Sequence, residues 1–150
     1  MELQTERLKL VPCTEQLVSK IKTTQVYKIG PHIEEYLNEL KVDSSLLGWG
    51  VWFVINKENN AIIGDIGFKG KPSSDNTVEI GYGIIPTAQG KGYATEAVQK
   101  LIKWAFNEKN VTKIVAECLD NNIPSIRVLE KLQMKIIGSE NNMLKWQLEK

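Results

Sequence analysis

The sequence has little of what metals and disulfides need. It has two cysteines, Cys13 and Cys118, and one histidine, His32. Two isolated thiols give neither a disulfide framework nor a zinc site. Charge of one sign is lacking too: 19 Lys and Arg face 18 Asp and Glu, for a net +1. Nothing in that balance draws the chain to nucleic acid or to an acidic membrane surface. No apolar run is long enough to span a bilayer, and the opening Met1-Glu2-Leu3-Gln4-Thr5-Glu6-Arg7 carries no apolar leader. A reducing, cytoplasmic setting is expected. Internal repeats, linkers and low-complexity tracts are absent, so the 150 residues read as one domain, 1–150, with room for a core.

What is present is a regular series of elements. Arg7 to Val11 alternates, with Leu8 and Leu10 on one face, and reads as a strand ended by Pro12. Thr14 is the expected N-cap of a helix carrying Leu17, Val18 and Ile21. Ile33, Tyr36, Leu37 and Leu40 mark a second helix, with His32 at its start. His32 reads as a solvated residue, because no Ser, Cys or Asp partner is suggested nearby. Strands are expected over Leu47–Ile55, Ala61–Phe68 and Thr77–Ile85, joined too tightly for crossovers and hence antiparallel. Tyr93–Glu108 is an amphipathic helix with Glu96 and Lys100 paired on its wet side. A strand Thr112–Leu119 makes this unit a parallel crossover. Asn122 or Asn121 caps a further helix, with Ser125, Val128, Leu129 and Leu132 on its buried face. Met134–Ile137 and Met143–Leu148 form a hairpin around residues 138–142. The fold class is α+β: a mixed, mostly antiparallel sheet with one parallel βαβ crossover.

The organising stretch lies between Ile84 and Glu96. Two glycines, Gly90 and Gly92, separate a strand from a helix. Backbone N–H groups at such a junction converge, and the helix dipole adds positive potential, so the loop suits a phosphate or pyrophosphate. It is not a P-loop: Gly90-Lys91 is followed by Gly92 rather than Ser or Thr, and Ile85 holds the earlier glycine's place. Nor is it a dinucleotide fingerprint, since Thr95 stands where the third glycine belongs.

The order Gln89-x-x-Gly92-x-Ala94, after a strand ending Ile84-Ile85-Pro86, resembles the acetyl-CoA signature of the GNAT (Gcn5-related N-acetyltransferase) superfamily. Asn122-x-x-Ser125 with Glu130-Lys131-Leu132 resembles the family's second block. Thr5-Glu6-Arg7-Leu8, Glu79-Ile80-Gly81-Tyr82 and Gly90-Lys91-Gly92-Tyr93-Ala94-Thr95-Glu96 resemble the Rim-type branch, which includes ribosomal-protein N-acetyltransferases. The resemblance implies a GNAT-like fold with helices on both sheet faces. It also implies direct transfer of an acetyl group from acetyl-CoA, a co-substrate, to a primary amine of a protein N-terminus or small molecule, with no metal. Gln89, Gly90, Lys91, Gly92, Tyr93 and Ala94 would hold the pyrophosphate through the backbone, and Thr95 would add its hydroxyl. Lys91 is either a phosphate contact or a solvated lysine. Ile84 and Ile85 would pair with the pantetheine arm by main chain. Asn122 would contact that arm, cap its helix, or both, and Ser125 is either a packing residue or a contact near the thiol.

The chemistry requires an amine to lose a proton and attack a thioester. Glu79 is the candidate base: on an extended strand it shares a face with Gly81 and Gly83, whose missing side chains leave a groove. Its structural alternative is a Glu paired with a Lys or Arg across the sheet. The sequence departs from the family at the proton donor. Leu129 stands where many members carry Tyr, and Gln133-Met134 replaces Gly-Phe. This keeps open a rival reading, a non-catalytic acyl-CoA-binding or sensing domain. Acceptor specificity is expected from residues 20–46 and from Trp49 and Trp52 as cleft walls. The acceptor is expected to be a small-molecule or peptide amine, and the chain a monomer or homodimer.

Overall fold

The computed structural model describes all residues, 1–150. Its strands are β1 (Leu3–Gln4), β2 (Leu8–Pro12), β3 (Val51–Asn56), β4 (Ile62–Phe68), β5 (Thr77–Ile84), β6 (Lys113–Leu119), β7 (Lys135–Glu140) and β8 (Met143–Glu149). Its helices are α1 (Glu15–Thr24), α2 (Pro31–Val42), α3 (Tyr93–Glu108) and α4 (Ile123–Lys131). One sheet holds all the strands in the order β1-β2-β3-β4-β5-β6-β8-β7. Every neighbouring pair is antiparallel except β5 with β6, which is parallel. No helix is long and apolar enough to cross a membrane.

Strand alternation divides the core in two. Trp52 and Val54 of β3 and Val78 and Ile80 of β5 face α3 and α4, joining Ala97, Val98, Leu101, Trp104 and Leu129. Val51 and Phe53 face the opposite way, joining Val18, Ile21, Ile33, Tyr36 and Leu37 of α1 and α2. Helices therefore cover both faces. Thr14 caps α1, its hydroxyl accepting from Leu17 N–H at 3.2 Å.

Some expected boundaries move for local reasons. The strand expected from Leu47 starts at Val51, after a 3₁₀ turn at Ser44–Leu46 and Gly48 at φ +91°. A side chain at Gly48 would meet the Trp104 ring at 3.0 Å, so the chain turns there against a core tryptophan. The C-terminal hairpin is tighter than composition suggests. Its turn is Asn141-Asn142 alone, both at positive φ (52° and 67°), as a two-residue hairpin turn requires. Gly138-Ser139-Glu140 is strand, because β7 is an edge exposed along its whole length and needs no apolar alternation.

One feature of the sheet positions the site. β5 pairs with β6 only through Thr77↔Lys113, Val78↔Ile114 and Glu79↔Val115. Both strands run on, β5 to Ile84 beside β4 and β6 to Leu119 beside β8, but no longer beside each other. The sheet opens in a V beyond Glu79.

Candidate active site

At the mouth of the V lies the glycine loop. Gly90 and Gly92 have φ of +77° and +81°, and Gly92 is the N-cap of α3. Nothing crowds a Cβ at Gly90, so glycine is required there by the backbone angle rather than by space. The N–H groups of Gly90, Lys91, Gly92, Tyr93, Ala94 and Thr95 donate to no acceptor in the protein. A run of free donors at a helix N-terminus is an anion site. Lys91 is exposed and forms no ion pair.

Glu96 fastens the loop to the N-terminal strand. It accepts from Thr5 Oγ1 at 2.5 Å, Arg7 N–H at 3.0 Å and Arg7 Nε at 2.8 Å. Burial alone would raise its pKa. The Thr5 hydroxyl, the Arg7 N–H and the guanidinium outweigh that and hold it below the usual carboxylate value. The guanidinium also covers the Tyr93 ring, 4.2 Å from its centroid. Glu96 is thus not the wet-side partner of Lys100 that helix spacing suggests. A carboxylate one turn into α3 meets a strand arriving from 89 residues upstream.

Along the V, β5 presents unpaired backbone. Lys69 N–H bonds Glu79 O and Ile85 N–H bonds Ile63 O, so odd-numbered residues of this stretch bond to β4. By antiparallel alternation Tyr82 and Ile84 turn their N–H and C=O groups the other way, into the opening. Gln89 Nε2 caps the Ile84 carbonyl at 2.8 Å. Ile85 differs: its N–H is held by Ile63 at 2.8 Å and its carbonyl by Ala88 N–H at 2.9 Å. Of the two residues expected to offer main-chain groups, Ile85 has both occupied, and the groups turned into the opening are those of Tyr82 and Ile84. Across the opening, Asn122 caps α4, its Oδ1 accepting from Ser125 N–H at 3.2 Å. Ser125 is half-buried, and its carbonyl accepts from the Tyr82 hydroxyl at 3.3 Å.

A cavity of about 810 Å³ opens on the other sheet face, between β4, β5 and α2. Its floor includes Asp65, Gly67, Gly81 and Gly83, which share one face because Asp65 pairs with Gly83 and Gly67 with Gly81. A Cβ at Gly83 would meet nothing within 4 Å and one at Gly81 only Lys69 Cε at 3.8 Å, so these glycines leave the floor open. Asp65 is gripped from two sides. His32 Nε2 lies 2.8 Å from Oδ1, and the Tyr27 hydroxyl donates to Oδ2. Burial, then the hydrogen bond and charge of Asp65, push the Tyr27 pKa far up, so it stays a donor.

Residues 10–135 match the family model described as Acetyltransferase (GNAT) domain. The chain belongs to the GNAT family. Within that family it is similar to a Bacillus subtilis (strain 168) protein named uncharacterized N-acetyltransferase YjdG. The two are 38% identical over 98 residues, 65% of this chain and 58% of that protein. The chain spans about half to three fifths of the length of the curated relatives it matches first. Among solved structures it is similar to a GNAT-family acetyltransferase from Bacillus anthracis, at 26% identity and TM-score 0.71, covering 99% of this chain and 98% of that one. It shares its fold with RimL, a ribosomal L7/L12 alpha-N-protein acetyltransferase in complex with coenzyme A. There the identity is 16% and the TM-score 0.77, over 99% and 98% of the two chains.

In this GNAT domain the residues singled out by sequence fall into two groups. Ile84, Gln89 to Thr95, Asn122 and Ser125 gather around the V and its mouth. Glu79 stands apart. It lies on the face of Gly81 and Gly83 but does not line the cavity, and Lys69 Nζ holds it at 2.8 Å. That ion pair is the structural alternative, a glutamate paired with a lysine across the sheet. Trp49 lines the cavity, whereas Trp52 is no cleft wall: it is fully buried against Trp104, its Nε1 donating to Gly48 O at 2.8 Å. Leu129 is wholly buried in the core, and its side chain carries no proton to donate. Sequence reasoning misses Asp65, Tyr27 and the pairing of His32. Two of the three lie in irregular or helix-start segments, and the third sits on a strand 33 residues from His32.

Proposed function

We propose that this chain is an acetyl-CoA-dependent N-acetyltransferase that moves an acetyl group directly to a primary amine, of a protein N-terminus or a small molecule. One observation carries the reading: six consecutive free N–H groups, Gly90 to Thr95, stand at the mouth of a V lined by the backbone edge of Tyr82 and Ile84, where the Gln89 amide occupies only the Ile84 carbonyl. The loop fits a pyrophosphate, and the edge fits an amide-bearing arm added as a strand. Acetyl-CoA supplies the thioester. The chain's own groups then do three things. The loop N–H groups and α3 dipole, with Thr95 and Lys91 beside them, hold the phosphates. The Tyr82 N–H, aimed into the opening, polarises a carbonyl placed there. The glycine floor admits an amine from the other face.

Two proton steps follow. The docked amine must release one to solvent before it attacks, which an N-terminal amine with pKa near 8 does readily at neutral pH. Glu79 does not line the cavity but is bound to Lys69, which does. We assign it the cancelling of that charge at the cleft rim rather than proton abstraction. The leaving thiolate must gain one. Tyr82 is our candidate donor: burial raises its pKa, only partly offset by its bond to Ser125, and its hydroxyl reaches across the same opening. The two free, buried cysteines fit a cytoplasmic setting.

Thiol release from acetyl-CoA across a panel of peptide and small-molecule amines tests the reading. The buried Leu129 is the observation that favours a binding-only rival. Coenzyme A binding without thiol release for any amine would establish that rival instead.

A further inference from the structure

We infer that Asp65 is the docking carboxylate for the acceptor, which enters as a protonated amine, and that Tyr27 and His32 are positioning residues that hold it. This deepens the acyltransferase reading and rests on it.

The charge of the cavity comes first. Its lining holds three carboxylates, Glu35, Glu39 and Asp65, and one ammonium, Lys69. Lys69 is already neutralised by Glu79 at 2.8 Å, while Glu35 and Glu39 make no ion pair with the protein. The cleft is left acidic and suits a cation.

Position comes second. Asp65 pairs directly with Gly83, the residue between Tyr82 and Ile84, whose backbone faces the V. A ligand resting on Gly83 therefore lies beside both the carboxylate and the sheet edge. Glu79 is four residues back along β5, roughly 13 Å at strand spacing.

Rigidity comes third. The Asp65 side chain is 18% exposed, and each oxygen has one fixed donor. An ionised carboxylate only accepts, so His32 must donate through Nε2 and Tyr27 through its hydroxyl. Each oxygen keeps a second lone-pair direction for an incoming N–H. A carboxylate held this way, its rotamer locked from two elements, is the kind of group that orients a ligand rather than merely attracting it. His32 is at the start of α2, so the helix's positive end stabilises the same charge.

The test uses n-butylammonium chloride as probe and n-butanol as its uncharged control. Each is titrated into the coenzyme A-saturated, ¹⁵N-labelled protein. We expect butylammonium to shift the amides of Asp65 and Gly83, and butanol to leave them still. In Asp65→Asn, half-saturation should need at least about tenfold more probe, the scale of losing a charge-assisted hydrogen bond. In Tyr27→Phe and His32→Gln it should need about threefold more, with coenzyme A affinity unchanged in all three, which reports an intact fold. Equal half-saturation in Asp65→Asn, shifts centred on Glu79 or on Glu35 and Glu39, or an equal response to butanol would overturn the inference. Acetyl transfer is read separately. Docking at Asp65 without turnover of any amine would fault the proposed function, and turnover with unaltered docking in Asp65→Asn would fault only this inference.

Discussion

The V and the cavity on the other sheet face are built differently. The proposed cofactor side, at the V, is nearly continuous in sequence: strand end, glycine loop and helix start occupy residues 82–96. The proposed acceptor side, the cavity, is assembled from pieces far apart: Tyr27 and His32 reach Asp65 across 38 and 33 residues, over a floor shared by β4 and β5. The first side can be made from local dihedrals and a helix dipole. The second exists only after the sheet has paired and α2 has packed. Variants of the loop should therefore change cofactor binding and leave the acceptor cleft alone, and the reverse should hold for the cleft.

Gly92→Val should break the local side hardest. Gly92 sits at φ +81° at the N-cap of α3, and Arg7 Nη2 is 3.4 Å from a Cβ placed there. A β-branched residue in that region costs about 2–3 kcal/mol. We expect coenzyme A affinity, measured by calorimetry, to fall about 30- to 100-fold. The butylammonium response at Asp65 and Gly83 should stay within twofold. A matching loss there would show that the two sides are not independent.

Glu96 is where the local side depends on a distant segment. Glu96→Gln should cost about 1–2 kcal/mol of unfolding free energy, because hydrogen bonds to a charged acceptor are among the stronger ones. The dependence on pH has a definite sign. The folded carboxyl titrates below its unfolded value of 4.5, so its contribution is complete above that pH. It is lost as pH falls through the folded value. Denaturant unfolding between about pH 5 and 3 should show a shallower loss in Glu96→Gln than in the parent.

The same contrast decides which features are legible in the amino-acid sequence. Gly90, Gly92, the α3 stripe and the Asn122 cap can be read there because each is specified by residues within a few positions of itself. Thr5-Glu6-Arg7 is legible as a pattern but not as a brace, since nothing near Arg7 in sequence names Glu96. Asp65 is hidden between glycines on a strand, where it resembles any half-exposed polar residue. His32 has no partner suggested by its neighbours because its Asp lies two strands later. Glu79 invites too much weight for a related reason: its groove is visible along β5, but the lysine that holds it comes from the end of β4.

Tyr82→Phe and Glu79→Gln separate the two faces of β5. Removing the Tyr82 hydroxyl should lower kcat about tenfold, the low end for general-acid catalysis, because a thiolate is a fair leaving group. The affinity for coenzyme A should hold, since the backbone edge is unchanged. Glu79→Gln should act on the acceptor instead. It frees Lys69 to face the cleft, so KM for a cationic amine should rise about threefold, a loss small because the pair is exposed and screened. The rise should shrink as salt is added, and kcat should stay within about threefold. A fall in kcat of about a hundredfold at unchanged KM is the signature of a lost general base. It would return proton abstraction to Glu79, and the acceptor side would then begin at the point where β5 and β6 part.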